Sequence, residues 1–552
     1  MIRSLVVLVK TVMKAPSSSK DITKSWLEYV LGQHLASTYP EKTVTVKNFN
    51  VDDGAGPSDG FNSELVVLQV ETLLEEKGLS LKAAVKEDNS SKAIMKEEGS
   101  SLKASMKVEQ SSPEISVKEV GSSPETVKEK QSSPETSMKE EESSPTVQDT
   151  ITFHLVAKFL SLDPMNREFN RSAKSNLKEY LMYTDLIKEL NEFQAARAPD
   201  EPMISMPELI YGKCTDKEFV LLMENLQVKG YKINDKRKGL DFQHLKAAVD
   251  QLARIHAVSY AYNQTTDLGK KYPCISSTLA YLSFISPVAT VLLEICFKYL
   301  KTLGNKNDVS ERLGESKQNL RDKLITVMSE GDNKITCLNH GDYWNCNFMY
   351  KYKDSDLEQS QQHIEKLKVI DWGNSSLGNP VFDLHYIVHT STTLEVRNAH
   401  LEEILQYYHS TFTRLTTKMG TSPANWTFEE FKINWEKTHI VGFILGCALT
   451  LGTLSTCNPM KKPEPSVLDK PLLLPVKLAL GGMKQALAKL LVPMIYTPMG
   501  QRINKTLFRL MFKPILTELQ SGKNEVMSKR ILDLLTEADE KGLFTVDPTG
   551  KP

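Results

Sequence analysis

Apolar and polar positions along this chain change period several times, and each change marks an element. Between Ile22 and Leu35, Trp26, Leu27, Val30 and Leu31 recur at helical spacing, which predicts an amphipathic helix. Val44 to Val51 alternates as a strand, and Leu65 to Val70 predicts a second; a glycine-rich turn joins them. Ile151 to Leu160 predicts a third strand. Leu177 to Leu190 follows as a helix, with Leu177, Leu181, Leu186 and Leu190 among its apolar residues. Leu209 to Tyr211 and Phe219 to Met223 predict two more strands. Beyond them the period is helical. Phe242 to Tyr260 carries Leu245, Val249, Leu252, Ile255 and a buried His256, with Asp241 at its N-cap. Further helical stretches span 276–303, 308–330 and 396–457, and Leu516 to Leu543 predicts a polar helix closing the fold. Strands first and helices afterwards describe an α+β chain with a small β-rich lobe and a larger, mostly helical one.

Residues 81–150 break the periodicity. Ser-Ser pairs begin at 90, 100, 111, 122, 132 and 143, among Lys and Glu, and from 112 onward proline follows: Ser112-Pro113, Ser123-Pro124, Ser133-Pro134 and Ser144-Pro145. No aromatic residue occurs there, so the stretch buries too little surface to offset its ordering entropy, and it is predicted to be a disordered insert. It falls between the second and third strands, a place where a fold tolerates a long loop. Its Ser-Pro sites are candidates for phosphorylation.

Composition narrows the class. A chain of 552 residues exceeds one compact domain. A formal net charge of −1 supplies no global field for nucleic acid. The seven cysteines are scattered, with no C-x-x-C pair, which favours a reducing, cytoplasmic setting over a zinc site or disulfide framework. Within the N-terminal extension, residues 1–21, the apolar run Leu5 to Val9 is too short for a signal-peptide core. Ile440 to Leu454 is too short to span a bilayer and reads as a buried helix. Lys470 to Leu516 holds eight basic residues and no acidic one. It reads as a packed helical extension with solvated lysines, contact with an anionic membrane being the alternative.

The candidate chemistry lies in two short runs. In Cys337 to Tyr350, Asp342 is followed five positions later by Asn347; in Lys368 to Gly373, Asp371 follows the apolar pair Val369-Ile370. Aspartate and asparagine are ordinary turn residues. This spacing, however, is that of the phosphoryl-transfer loop, where one carboxylate takes the proton of the attacking hydroxyl and an amide and a second carboxylate hold magnesium. Lys158 sits in a strand among Val156, Ala157, Phe159 and Leu160, where an unpaired charge is costly, so it needs a partner; Glu179 is the leading candidate. Gly60 and Ser63 lie in the glycine-rich turn, whose backbone N–H groups suit phosphates. Glu224-Asn225-Leu226 ends the last strand, where backbone groups between lobes would meet adenine. Asp383 opens an apolar helix and reads as its cap or as a brace for the loop that carries Asp342, a structural role being favoured. No A-P-E follows Asp371, and the quick passage into Gly378-Asn379-Pro380 leaves no long activation loop, which favours a small acceptor.

Taken in order, several runs resemble the ecdysteroid kinase-like (CHK kinase-like) family, within the choline kinase and aminoglycoside phosphotransferase group of the protein kinase-like superfamily. They are Gly60-Phe61-Asn62-Ser63, Val156-Ala157-Lys158, Glu179 with Tyr183, Met223-Glu224-Asn225-Leu226, Leu252 to Ala257, His340 to Asn347, and Pro380 to Leu384. The resemblance implies a two-lobed protein kinase-like fold. The ATP-binding N-lobe would be 22–80 and 151–226. The helical C-lobe would be 227–552, with its catalytic loop at 337–390 and a basic extension at 465–515. It implies phosphorylation, dependent on ATP and Mg2+, of a small-molecule alcohol such as an ecdysteroid or another steroid or xenobiotic alcohol. Asp342 would be the catalytic base, Asn347 and Asp371 the magnesium ligands, and Lys158 with Glu179 the holders of the ATP phosphates, with Gly60, Ser63 and Glu224 completing the nucleotide site. Asn225 departs from the family's usual Asp. A choline- or ethanolamine-type kinase, or a silent scaffold using the repeat insert, are the alternatives.

Overall fold

Five antiparallel strands build the small lobe of the computed structural model, in the order β1-β2-β3-β5-β4. They are β1 (Lys42–Asp52), β2 (Ser63–Glu76), β3 (Asp149–Leu160), β4 (Leu209–Cys214) and β5 (Phe219–Glu224). The structure describes residues 13–52, 63–76, 149–276, 279–329, 335–353, 363–457, 474–494 and 496–545. Because side chains alternate along a strand, Leu155, Ala157 and Phe159 of β3 face one side and Lys158 the other. On the first side lies α1 (Lys24–Leu35), whose Trp26, Leu27, Val30 and Leu31 pack with those residues and with Val66, Leu68, Val220 and Leu222. Each such fully buried side chain contributes roughly 1.5–3 kcal/mol of transfer free energy. Ala15 joins the same core and its N–H donates to Glu218 Oε1 at 3.0 Å, so part of the expected extension, 1–21, belongs to the lobe.

β2 and β3 are direct neighbours, in register from Ser63↔Leu160 to Leu74↔Asp149. The repeat insert therefore departs from the end of one hairpin arm and returns to the other, with described strand continuing to Glu76 and resuming at Asp149. Its expected disorder and its Ser-Pro sites lie outside the described residues. So do the glycine-rich turn with Gly60 and the run Leu5 to Val9.

After β3 come α2 (Pro164–Ser172), α3 (Ser175–Leu181), a π-helical turn over Met182–Leu186, and α4 (Ile187–Ala195). Asp163 caps α2, its Oδ1 accepting from the N–H groups of Met165 and Asn166. The single apolar face expected from Leu177 to Leu190 is not realised. Leu177 is exposed, whereas Lys178 and Glu179 are buried with Leu186 and Leu190. The extra residue of the π turn rotates the face between its two halves.

The larger lobe starts with α5 (Phe242–Asn263), capped as expected by Asp241, whose Oδ1 accepts from His244 N–H at 3.0 Å. His256 is fully buried, its Nδ1 lying 2.7 Å from Tyr408 Oη; its Nε2 makes no hydrogen bond among the described residues and lies 3.5 Å from Asp383 Oδ2, so the expected full satisfaction is met at one nitrogen only. α6 (Leu279–Thr302) and α7 (Asn307–Ser329) precede two antiparallel strand pairs, β6 (Cys337–Asn339) with β9 (Ser376–Gly378), and β7 (Phe348–Tyr352) with β8 (Ile364–Val369). The expected helical stretch 396–457 is three helices. They are α9 (Leu394–Lys418), α10 (Phe428–Lys437) and α11 (His439–Leu454), following α8 (Val381–Ser391). A capping box, Thr427 with Glu430, starts α10.

Next come α12 (Leu474–Met494), α13 (Pro498–Ser521) and α14 (Glu525–Glu540). The closing helix is not polar throughout, as its composition suggested. α13 stops at Gly522, with φ 68°, and α14 places Met527, Ile531, Leu534, Leu535 and Ala538 in the core shared by α6, α7 and α11. Among the described residues no single helix is long and apolar enough to cross a membrane, and α11 is buried as expected.

Candidate active site

The loop from β6 to β7 carries the first motif, and its shape is forced by one glycine. Gly341 has φ 78°, and a Cβ there would lie 2.3 Å from the backbone oxygen of Asn374. Only glycine lets the loop lie this close to the segment after β8. His340 fastens the two segments: its Nε2 donates to Ile370 O at 3.1 Å and its Nδ1 accepts from Asp342 N–H at 3.3 Å. Burial holds this imidazole neutral by lowering its pKa. Asp383 is not a helix cap, since Pro380 occupies that position and no side-chain cap bond is made. The Asp383 carboxylate instead accepts from the N–H groups of His340 at 2.6 Å and Gly341 at 3.0 Å, the second of the two expected roles, bracing the Asp342 loop from α8.

Five of the expected site residues converge. Lys158 Nζ donates to Glu179 Oε1 at 2.7 Å and to Asp371 Oδ1 at 2.8 Å, joining β3, α3 and the β8–β9 turn. Asn347 Nδ2 donates to Asp342 Oδ2 at 3.1 Å and to the Asp342 carbonyl at 2.8 Å. The carbonyl of Asn347 accepts from Ile370 N–H at 3.1 Å, next to Asp371. Asp371 itself adopts the left-handed region, with φ 64°. For a non-glycine residue that is an uncommon conformation, which persists where the surrounding structure over-determines the backbone.

Two expected residues are placed differently. Ser63 is the first residue of β2, opposite Leu160, at the mouth of the turn that holds Gly60. Glu224 does not present its carboxylate to the cleft. Lys229 and Lys368 donate to it, as does Glu208 N–H at 2.9 Å, which leaves the main chain as its link to any adenine. The Asn225 N–H is engaged with His154 O at 2.9 Å.

The electrostatics follow from burial and these contacts. Burial works against the charge on Lys158, but Asp371 and Glu179 outweigh it and raise the pKa, so the ammonium stays charged. Burial likewise opposes ionisation of Asp371, and Lys158 overcomes it and holds the carboxyl below its ordinary range. Among the described residues no cation pairs with Asp342. Burial, then the charge of Asp371, pushes its carboxyl up to about 7, against hydrogen bonds from Tyr386, Asn347 and Trp344. A base titrating near neutrality suits proton abstraction from an alcohol. The Tyr386 hydroxyl donates to Asp342 Oδ1 at 2.6 Å. Sequence reasoning passed over it, although Tyr386 lies three residues after Asp383, on the same face of α8.

The donor set fits a magnesium ion. The Asp371 side chain is 44% exposed, leaving its carboxylate open to the cleft. Asn347 uses its amide N–H groups on Asp342, which turns its amide oxygen the other way. Both are the hard oxygen donors that magnesium prefers. The mutual repulsion of Asp342 and Asp371 is charge that a divalent cation would relieve.

A family model described as the ecdysteroid kinase-like family matches residues 136–421, just over half of the 552-residue chain. No curated protein matches the sequence. The match runs from ahead of β3 to the end of α9, and so takes in Lys158, Glu179, Asp342, Asn347, Asp371 and Asp383. With a small antiparallel-sheet lobe, a larger helical lobe and these groups gathered between them, the chain belongs to the ecdysteroid kinase-like family.

Proposed function

We propose that this protein is a phosphotransferase, dependent on ATP and magnesium, that phosphorylates a hydroxyl of a small molecule, with steroid alcohols of the ecdysteroid type as the first acceptors to test. The observation carrying this reading is the joint placement of Asp342, Asn347, Asp371 and Lys158. In it the Asp342 carboxyl, pushed up to about 7, is hydrogen-bonded to Asn347, and Lys158 pairs with Asp371. Asp342 takes the proton of the acceptor hydroxyl at Oδ1 or Oδ2. Tyr386 and Asn347 orient that carboxylate, and His340 with Asp383 holds its loop. Lys158, kept charged by Asp371 and Glu179, offers its ammonium to the phosphates of ATP. Asn347 and Asp371 would hold magnesium, which when bound neutralises charge on the transferring phosphoryl group. In such a site positioning and electrostatic stabilisation supply most of the barrier lowering.

The short path after Asp371 favours a small acceptor over a protein. Only residues 372–380 separate Asp371 from α8, and three of them, Ser376–Gly378, are strand β9. The test is turnover of labelled ATP with a panel of steroid alcohols, choline and ethanolamine, together with thermal stabilisation by Mg-ATP. Asp342→Asn is expected to lower turnover by about 10²–10⁴-fold and to keep both the melting temperature and the stabilisation by Mg-ATP. Turnover undiminished by Asp342→Asn would remove it from the mechanism. A protein that Mg-ATP does not stabilise would be a silent scaffold instead.

A further inference from the structure

The basic stretch that the catalytic reading leaves unused folds into α12 and α13, and their outer faces are apolar. Among the described residues eleven large hydrophobic side chains are exposed, and six are on these two helices: Met483, Leu487, Leu490, Met499, Leu507 and Leu510. At 100° per residue, Met483, Leu487 and Leu490 lie within about 60° of one another around α12. The inward residues Ala488 and Val492, each 1% exposed, are on the opposite side. On α13, Met499, Leu507 and Leu510 lie within about 80°, opposite the buried Ile515 and Leu519. Each helix is thus seated by one side, α12 on α2 and α13 on α6, and open on the other. A contact between the Tyr496 and Ser172 hydroxyls holds the link between them.

We infer that this outer face binds an anionic membrane surface as a peripheral anchor. Charge complementarity selects the occupant. Lys484 and Lys489 flank the apolar stripe of α12 on its two sides, and Arg502, Lys505, Arg509 and Lys513 line one flank of the α13 stripe, with no acidic residue from 470 to 516. Glu294 of α6 neutralises part of this, taking Lys505 at 3.6 Å and Arg509 at 2.6 Å. Among the described residues Lys484, Lys489, Arg502 and Lys513 have no carboxylate partner. Apolar side chains rimmed by long basic ones match the boundary between acyl chains and acidic headgroups. The alkyl stems reach along the apolar face while the charges stay among phosphates. A second copy of this chain would bring the same positive charge to the contact and is disfavoured.

The test uses the full-length protein and sedimentation with vesicles of phosphatidylcholine, with and without phosphatidylserine. Wild type is expected to pellet with the phosphatidylserine vesicles and to be released by salt. Leu487→Asn with Leu490→Asn should abolish pelleting. Lys484→Gln with Lys489→Gln should weaken it about thirtyfold, at about 1 kcal/mol per basic residue. All three proteins should keep the same melting temperature, because the replaced side chains are exposed. Wild type remaining in the supernatant with phosphatidylserine vesicles would overturn the inference. So would pelleting that the four substitutions leave unchanged, or a dimer in sedimentation velocity that the asparagine variant dissociates.

Discussion

At Asp342 the balance between burial and hydrogen bonding sets the chemistry, and Tyr386 is the residue that tips it. Its hydroxyl stabilises the carboxylate form, so Tyr386→Phe should raise the carboxyl further above its ordinary value. In the proposed mechanism the base works deprotonated, so the acid limb of the pH–rate profile should move to higher pH, by about one unit, and kcat should fall about tenfold, for a hydrogen bond to a charged group worth about 1.5–3 kcal/mol. A pH–rate profile superimposable on wild type would mean that Tyr386 only packs. Gly341 is the second such residue. Gly341→Ala combines a left-handed φ with a Cβ 2.3 Å from Asn374 O. It should destabilise the protein by more than about 1 kcal/mol and abolish turnover, read from the urea midpoint and the assay.

Between α8 and α11 the contact is made by imidazoles. His385 and His389 of α8 meet His439 of α11, with His389 Nε2 and His439 Nε2 3.2 Å apart. The helices approach this closely because Gly442 has no side chain; a Cβ there would lie 2.4 Å from His389 Nδ1. Burial lowers the pKa of all three, and His439 is pushed down to about 3. In the unfolded chain an imidazole takes up its proton near pH 6.5, whereas these remain neutral in the fold. The stability they contribute is therefore fully present above about pH 6.5 and lost as the pH falls toward each folded pKa, by up to about 1.4 kcal/mol per unit for each group. Replacing His439 by Gln removes one such group. The loss of stability on going from about pH 7 to about pH 5 should then shrink, by about 2 kcal/mol at most, in urea midpoints. An unchanged acid loss would assign it to other groups.

Across the whole molecule, the two lobes meet through Lys158 and Asp371, 213 positions apart in sequence. β2 and β3 pair with each other as far as Leu74↔Asp149, a pairing made entirely by residues on either side of the repeat insert. Excising residues 77–148 and closing Glu76 to Asp149 with a short turn should leave the melting temperature within a few degrees and turnover intact; loss of either would give the insert a structural role. By itself the sequence determined the element types and the list of candidate site residues. Helical and strand periods are local, and so is the spacing from Asp342 to Asn347 and the run into Asp371. Only the tertiary structure decided that Asp383 braces the loop, that Tyr386 reaches Asp342, that Glu224 spends its carboxylate on lysines, and that α14 is half buried. A residue's period says which face it shares with its neighbours in the chain. Which face it then meets depends on packing between segments far apart, and on irregularities such as the π turn at Met182–Leu186, which no fixed period contains.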